Sequence, residues 1–142
     1  MKVISLLQPW ATLVAIGAKR IETRSWATSY RGPLAIHASK GVTAAIKKLV
    51  FTKPFFTILR KLGYGVAWGA DWNLPLGKII ATCNLVDVVP ITPEFTATLS
   101  ENEKAFGNYT PGRFAWILED VKQLPEPIPA KGSLGLWEFP GL

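Results

Sequence analysis

The spacing of apolar and polar positions divides this chain into short elements. Met1 to Leu7 reads as a first strand, interrupted by Gln8-Pro9. From Pro9 to Gly17 the period lengthens: Trp10, Leu13 and Val14 stand at i, i+3 and i+4, proline suits a first helical turn, and Gly17 can end it. A short helix with one apolar stripe facing inward follows from that spacing. Lys19 to Ser25 returns to alternation, with Arg20, Glu22 and Arg24 on one face of a strand and Ile21 and Thr23 on the other. Tyr30-Arg31-Gly32-Pro33 is turn chemistry, and Leu34 to Ser39 is a strand with Leu34, Ile36 and Ala38 on one side and His37 and Ser39 on the other.

Residues 42 to 50 and 54 to 62 read as two helices divided near Lys53-Pro54, because proline cannot continue one helix but suits the start of the next. Gly63 to Gly77 holds four glycines with Tyr64, Trp68 and Trp72, which predicts either a flap with aromatic tips or packed filler. Lys78 to Val89, rich in Ile, Val and Thr, is a core strand stopped by Pro90. Thr92-Pro93-Glu94 opens a helix running towards Gly107. Arg113 to Val121 is a further strand, Leu124 to Pro129 is extended and proline-rich, and Leu134 to Phe139 closes as a short strand. Five or six strands interleaved with short helices, without a βαβ rhythm, predict a mixed α+β domain around a small barrel, spanning residues 1–142.

Composition narrows the function classes. The single cysteine, Cys83, excludes an intramolecular disulfide and argues against a cysteine-built metal site, which fits a reducing cytosol and predicts a cytoplasmic protein. The N-terminal residues lack a secretory pattern, and no apolar run approaches the roughly twenty residues of a membrane-spanning helix. No cofactor and no metal is implied: there is no phosphate-cradling glycine loop, no H-E-x-x-H, no G-x-S-x-G and no Cys/His cluster. Net charge is +6, but residues 1 to 71 carry eleven Lys and Arg against Glu22 and Asp71, whereas residues 72 to 142 carry five against eight. A basic half of +9 beside an acidic half of −3 predicts a face for a polyanion, because Lys and Arg gain affinity by releasing counterions from phosphates. A solvated basic surface without a partner is the alternative.

Several stretches together resemble the ASCH family, a branch of the PUA-like β-barrels. The opening pair is Ser5-Leu6-Leu7-Gln8-Pro9-Trp10-Ala11 and Gly17-Ala18-Lys19-Arg20-Ile21-Glu22-Thr23-Arg24. Tyr30-Arg31-Gly32, Leu34-Ala35-Ile36-His37-Ala38, Gly112-Arg113-Phe114-Ala115-Trp116 and Lys131-Gly132-Ser133-Leu134-Gly135-Leu136-Trp137 follow in order. The resemblance implies a PUA-like barrel with a cleft beside the first helix, lined by the G-x-K-x-x-E-x-R segment and suited to RNA or a nucleobase-containing ligand, with DNA as a further polyanion. One small bacterial relative with this barrel hydrolyses N4-acetylcytidine through a lysine, a threonine nucleophile and a glutamate. Lys19 matches that lysine by position, but Glu22 stands where the threonine would be.

Each candidate residue has two readings. Glu22, the only acid among the first seventy residues, either accepts an exocyclic amine of a base or a proton in hydrolysis, or forms an internal ion pair with Arg24. Lys19 contacts phosphate, polarises a carbonyl or serves solubility. Arg24 and Arg31 suit bidentate phosphate contact or an acid partner. His37 is the lone histidine, either a base or a hydrogen-bonded structural residue, with Ser39 and Lys40 beside it. Gln8 and Trp10 of the Gln-Pro-Trp motif join the ligand-binding candidates. Among six tryptophans, Trp10, Trp116 and Trp137 follow apolar patterns that predict burial, whereas Trp26, Trp68 and Trp72 are the better base-stacking candidates. The leading reading is a binding module with a basic cleft, and the alternative is a hydrolase of a modified nucleoside or a ribonuclease using Lys19, Glu22 and His37.

Overall fold

The computed structural model describes residues 1–142. β1 (Lys2–Leu6) buries Val3, Ile4 and Leu6 and is followed by α1 (Trp10–Ala15), β2 (Ile21–Arg24) and β3 (Gly32–Ala38). Next come α2 (Ala44–Leu49), α3 (Phe55–Lys61), β4 (Lys78–Pro90), α4 (Pro93–Ala97), α5 (Glu101–Phe106), β5 (Phe114–Pro129) and β6 (Leu136–Glu138). The strands form one six-stranded sheet in the order β2-β5-β4-β3-β1-β6, curled into a half-barrel, so the α+β barrel expectation holds.

The curl originates in β4 and β5. This antiparallel pair slips register between Ile79 and Ala81, between Thr82 and Asn84, and between Leu85 and Asp87, and Asp120 takes a left-handed φ of 54° beside the middle slip. Each slip bends the ribbon and increases its twist. The curl brings β2, at one end of the sheet, back to β1, next to the other end: Arg24 Nη2 donates to the Ser5 carbonyl at 2.8 Å. α1 occupies the concave side, where Ala11, Val14 and Ala15 pack with Leu34, Ile36, Ala81, Leu85 and Trp116. Its opposite side, through Leu13, joins a second cluster with Ile46, Val50, Phe55, Leu59, Val66, Leu74 and Phe106. That cluster glues α2, α3 and the Gly63 to Gly77 segment onto α1.

Two elements depart from the sequence reading. The helix expected from Thr92 towards Gly107 is two helices, because the Ser100 hydroxyl accepts from Glu103 N at 3.1 Å and caps a new start. The proline-rich stretch after Val121 belongs to β5. It tolerates Pro125, Pro127 and Pro129 because β2 covers β5 only at Phe114–Ile117, leaving the rest with a neighbour on one side. No helix is long and apolar enough to cross a membrane.

Candidate functional site

β2 carries the charged centre. Alternation places Ile21 and Thr23 inward, while Glu22 and Arg24 share the other face. Glu22 is held from two sides: Arg24 Nε donates to its Oε2 at 3.0 Å, and Lys19 Nζ lies 3.7 Å from its Oε1. Lys19 is fully buried and also donates to the Ile21 carbonyl. Its burial pushes the ammonium below the ordinary lysine value, opposed by the charges of Glu22 and Glu103. The Glu103 carboxylate reaches from α5 to the residue just before β2, where Oε1 accepts from Arg20 N at 2.9 Å.

In front of Glu22 and Arg24 opens a cleft of about 590 Å³. One wall is aromatic: Trp10 meets Phe55 edge-on at 6.3 Å, Phe55 meets Phe106 at 5.1 Å, and Trp26 meets the buried Trp116 at 4.8 Å. Trp116 Nε1 donates to the Trp26 carbonyl at 3.2 Å, which fixes the Trp26 backbone beside the opening. The other wall is polar and is made by Ser5, Thr23, Ser25, Asn108 and Arg113. Thr23 Oγ1 accepts from Asn108 N, and Arg113 Nη2 donates to the Thr23 carbonyl, so β2 orders the loop after α5. A planar ligand edged with donors and acceptors is what apolar faces beside a carboxylate and a guanidinium can hold.

Ser5 and Arg24 also border a second cavity of about 910 Å³, between the end of β3 and the Pro129 to Gly135 segment. His37, Ser39, Lys40, Gly77 and Lys131 line it. His37 is buried and both ring nitrogens are engaged: Nε2 donates to the Ala130 carbonyl at 2.8 Å, and Nδ1 shares a hydrogen bond with the Ser5 hydroxyl at 3.0 Å. Trp137 Nε1 donates to the same hydroxyl at 3.1 Å, and its ring meets the imidazole edge-on. Gly132 passes so close over this pair that a Cβ there would stand 2.7 Å from the imidazole and 3.0 Å from Ser5 Oγ. Glycine is required for that approach.

The structure therefore gathers Trp10, Glu22, Arg24 and Trp26 around one cleft and His37, Ser39 and Lys40 around its neighbour, with Lys19 buried behind Glu22. It does not bring Gln8, Arg31, Trp68 or Trp72 to either. Gln8 is fully buried, donating to Thr12 Oγ1 and to the Pro75 carbonyl while accepting from Thr12 N, so it anchors α1. Arg31 is spent on the carbonyls of Thr28 and Tyr30 and on Asp87 at 3.6 Å. Trp68 and Trp72 meet edge-to-face at 5.1 Å, with Lys47 Nζ 5.2 Å from the Trp68 ring. Trp10, expected to be buried, is partly exposed as a cleft wall. Sequence reasoning missed Asn108, Arg113, Lys131 and Ser133, although the G-R-F-A-W and K-G-S segments that carry three of them were visible.

The sequence matches the family model of the ASCH domain over residues 4–128. This chain belongs to the ASCH family. It is 27% identical over 139 residues to activating signal cointegrator 1 of Mus musculus and 28% identical over 138 residues to that of Homo sapiens. Each match covers 96% of this chain but 22% of the relative, so the chain spans about a fifth of the length of the curated relatives it matches. The crystal structure of ASCH from Zymomonas mobilis is similar in fold, with a TM-score of 0.50 at 19% identity, covering 90% of this chain and 72% of that one. As an ASCH domain, the chain places its G-x-K-x-x-E-x-R segment on β2 and the preceding loop, and Leu136 and Trp137 of the closing G-L-W on β6.

Proposed function

We propose that this ASCH module binds RNA or a nucleobase-containing ligand, with a base seated in the cleft beside α1. The observation that carries the reading is the pairing of an aromatic wall, Trp10, Trp26 and Phe55, with the fixed Glu22 and Arg24 side chains. Glu22 accepts from an exocyclic amine or ring N–H, Arg24 donates to a carbonyl or phosphate, and the rings cover the base faces. Surplus lysines of the basic half add non-specific attraction for the strand, which extends to DNA. Filter binding of single-stranded RNA tests this: affinity is expected to fall steeply with salt and to drop in Trp26→Ala and Glu22→Gln. Absence of binding at low salt removes the nucleic-acid part of the reading and leaves a small nucleobase-containing ligand or a protein partner.

A second reading, hydrolysis of a modified nucleoside, is favoured by one observation, the buried Lys19 at 3.7 Å from Glu22. Two others weigh against it. Lys19 does not line the cleft, and Glu22 replaces the hydroxyl that an acyl-enzyme route needs. Incubation with N4-acetylcytidine, followed by chromatography for cytidine, is expected to show no turnover; turnover abolished by both Lys19→Ala and Glu22→Gln overturns the binding reading in favour of catalysis.

A further inference from the structure

The second cavity differs from the cleft in its charge. Its ionised walls are Arg24, Lys40 and Lys131, and no carboxylate lines it. Arg24 is already balanced, since Nε is committed to Glu22, but its fork uses one N–H there and one on the Ser5 carbonyl, leaving the remaining donors free. Lys40 and Lys131 lie within 4.0 Å of no acid: the chain's ion pairs involve the N-terminus, Lys2, Lys19, Arg24, Arg31, Arg60 and Lys104. The cavity thus presents two uncompensated positive charges, and the side chains of Ser39 and Ser133 line it with them.

The walls are also shaped for a close ligand. Gly77, at a φ of +67°, packs so tightly on the Lys40 stem that a Cβ there would stand 2.7 Å from Cε, and Gly132 holds the opposite wall against His37. The Lys40 side chain is thereby laid along the cavity wall. Arg24 stands between the two openings, with Glu22 on its cleft side.

We infer that the second cavity binds a phosphomonoester, and that cleft and cavity together take a ribonucleotide: base in the cleft, terminal phosphate against Lys40 and Lys131, Arg24 spanning the two. This rests on the nucleobase reading of the cleft and adds the ligand's charged end. Two unpaired ammonium groups match a phosphomonoester dianion in charge, whereas an internal phosphodiester of RNA brings only one negative charge. Ammonium to phosphate contacts in such a site are charge-assisted and about twice as strong as neutral ones.

Isothermal titration of the full chain tests it, with the four common ribonucleosides, their 3′- and 5′-monophosphates and inorganic phosphate as probes. At least one monophosphate is expected to bind about tenfold or more tighter than its own nucleoside, the effect of a single charge-assisted hydrogen bond. That gain is expected to vanish in the Lys40→Gln, Lys131→Gln double variant, whose nucleoside affinity stays that of the wild type. It also shrinks as pH falls through about 6, where the phosphate loses its second charge. Comparing 5′-phosphorylated with 5′-hydroxyl oligoribonucleotides separates a strand end from a free nucleotide as the source of the group. Nucleoside binding without a phosphate gain, or a gain that survives in the double variant, overturns the inference and leaves the cleft reading standing. Lysine-dependent binding of inorganic phosphate without any nucleoside binding keeps the phosphate site and removes the cleft reading. No binding of any probe removes both.

Discussion

Two groups of cations lie within one small region and have opposite fates. Lys19 and Arg24 converge on a single carboxylate, Glu22, and each also bonds a carbonyl of the same sheet. Lys40 and Lys131, on the other side of Arg24, have no acid at all. The first group is a piece of architecture that orients the one acid of the cleft. The second is charge that no acid of the chain neutralises. Counting Lys and Arg treats them alike, whereas burial and partners separate them.

The largest expected effect is on stability. Lys19→Ala removes a fully buried side chain, its bond to the Ile21 carbonyl and one of the two cations on Glu22, and should cost about 2–4 kcal/mol. Lys40→Ala removes an exposed side chain and should stay within about 0.5 kcal/mol of wild type. Urea denaturation of both variants checks the pair, and equal losses would erase the distinction between them. pH sharpens it further. Burial lowers the Lys19 ammonium in the folded state, so the unfolded chain binds more protons below the ordinary lysine value of 10.5. The penalty of holding that charge inside is therefore relieved as pH rises towards 10.5, and wild type should gain stability relative to Lys19→Met over that interval.

Salt dependence of RNA binding gives an intermediate effect. Each phosphate contact made by Lys40 or Lys131 contributes roughly one unit to the slope of log affinity against log salt, and the double alanine variant should lose that share. Glu22→Gln should weaken binding with the slope intact, since it changes base contacts and removes no cation. Fluorescence titration across a salt series distinguishes the two signatures.

The smallest effect is expected outside both groups. Trp68 and Trp72 pack edge-to-face against one another and line neither opening, so Trp68→Ala should leave ligand affinity unchanged. Measured by the same titration, a clear loss would bring the Gly63 to Gly77 segment back as part of the site.

The strand and helix order was legible because each element carries its own signal: the i, i+3, i+4 stripe of α1, the alternation on β2, the proline between α2 and α3. The face shared by Glu22 and Arg24 followed from period two alone. Other features depended on distance in sequence. Nothing local says that Gln8 is pinned by the Pro75 carbonyl, or that Arg31 folds back on Thr28 and Tyr30. Asn108 and Arg113 reach the cleft only because they bond to Thr23, some ninety residues earlier for Arg113. The pairing of His37 with Ser5 likewise needs β1 and β3 to lie side by side in parallel, with Ser5 opposite His37. Charge was visible and its neutralisation was not, because partners are assigned by the curl of the sheet.

A half-barrel leaves open strand edges, and open edges invite other chains to pair with them. Here the outward carbonyls near the mouth are already occupied. On β2, the Arg20 carbonyl accepts from Leu118 on β5, so those of Ile21 and Thr23 alternate outward, and Lys19 and Arg113 cover them. On β1, the short β6 stops opposite Ile4, and the next outward carbonyl, that of Ser5, is taken by Arg24. Three cations thus seal the rows of acceptors along which a foreign strand would dock, and two of them, Arg24 and Arg113, also line the cleft. Under the proposed function, protection against sheet-to-sheet aggregation and recognition of a ligand fall on the same side chains, so evolution of a new specificity at this mouth would be constrained by solubility as well as by binding.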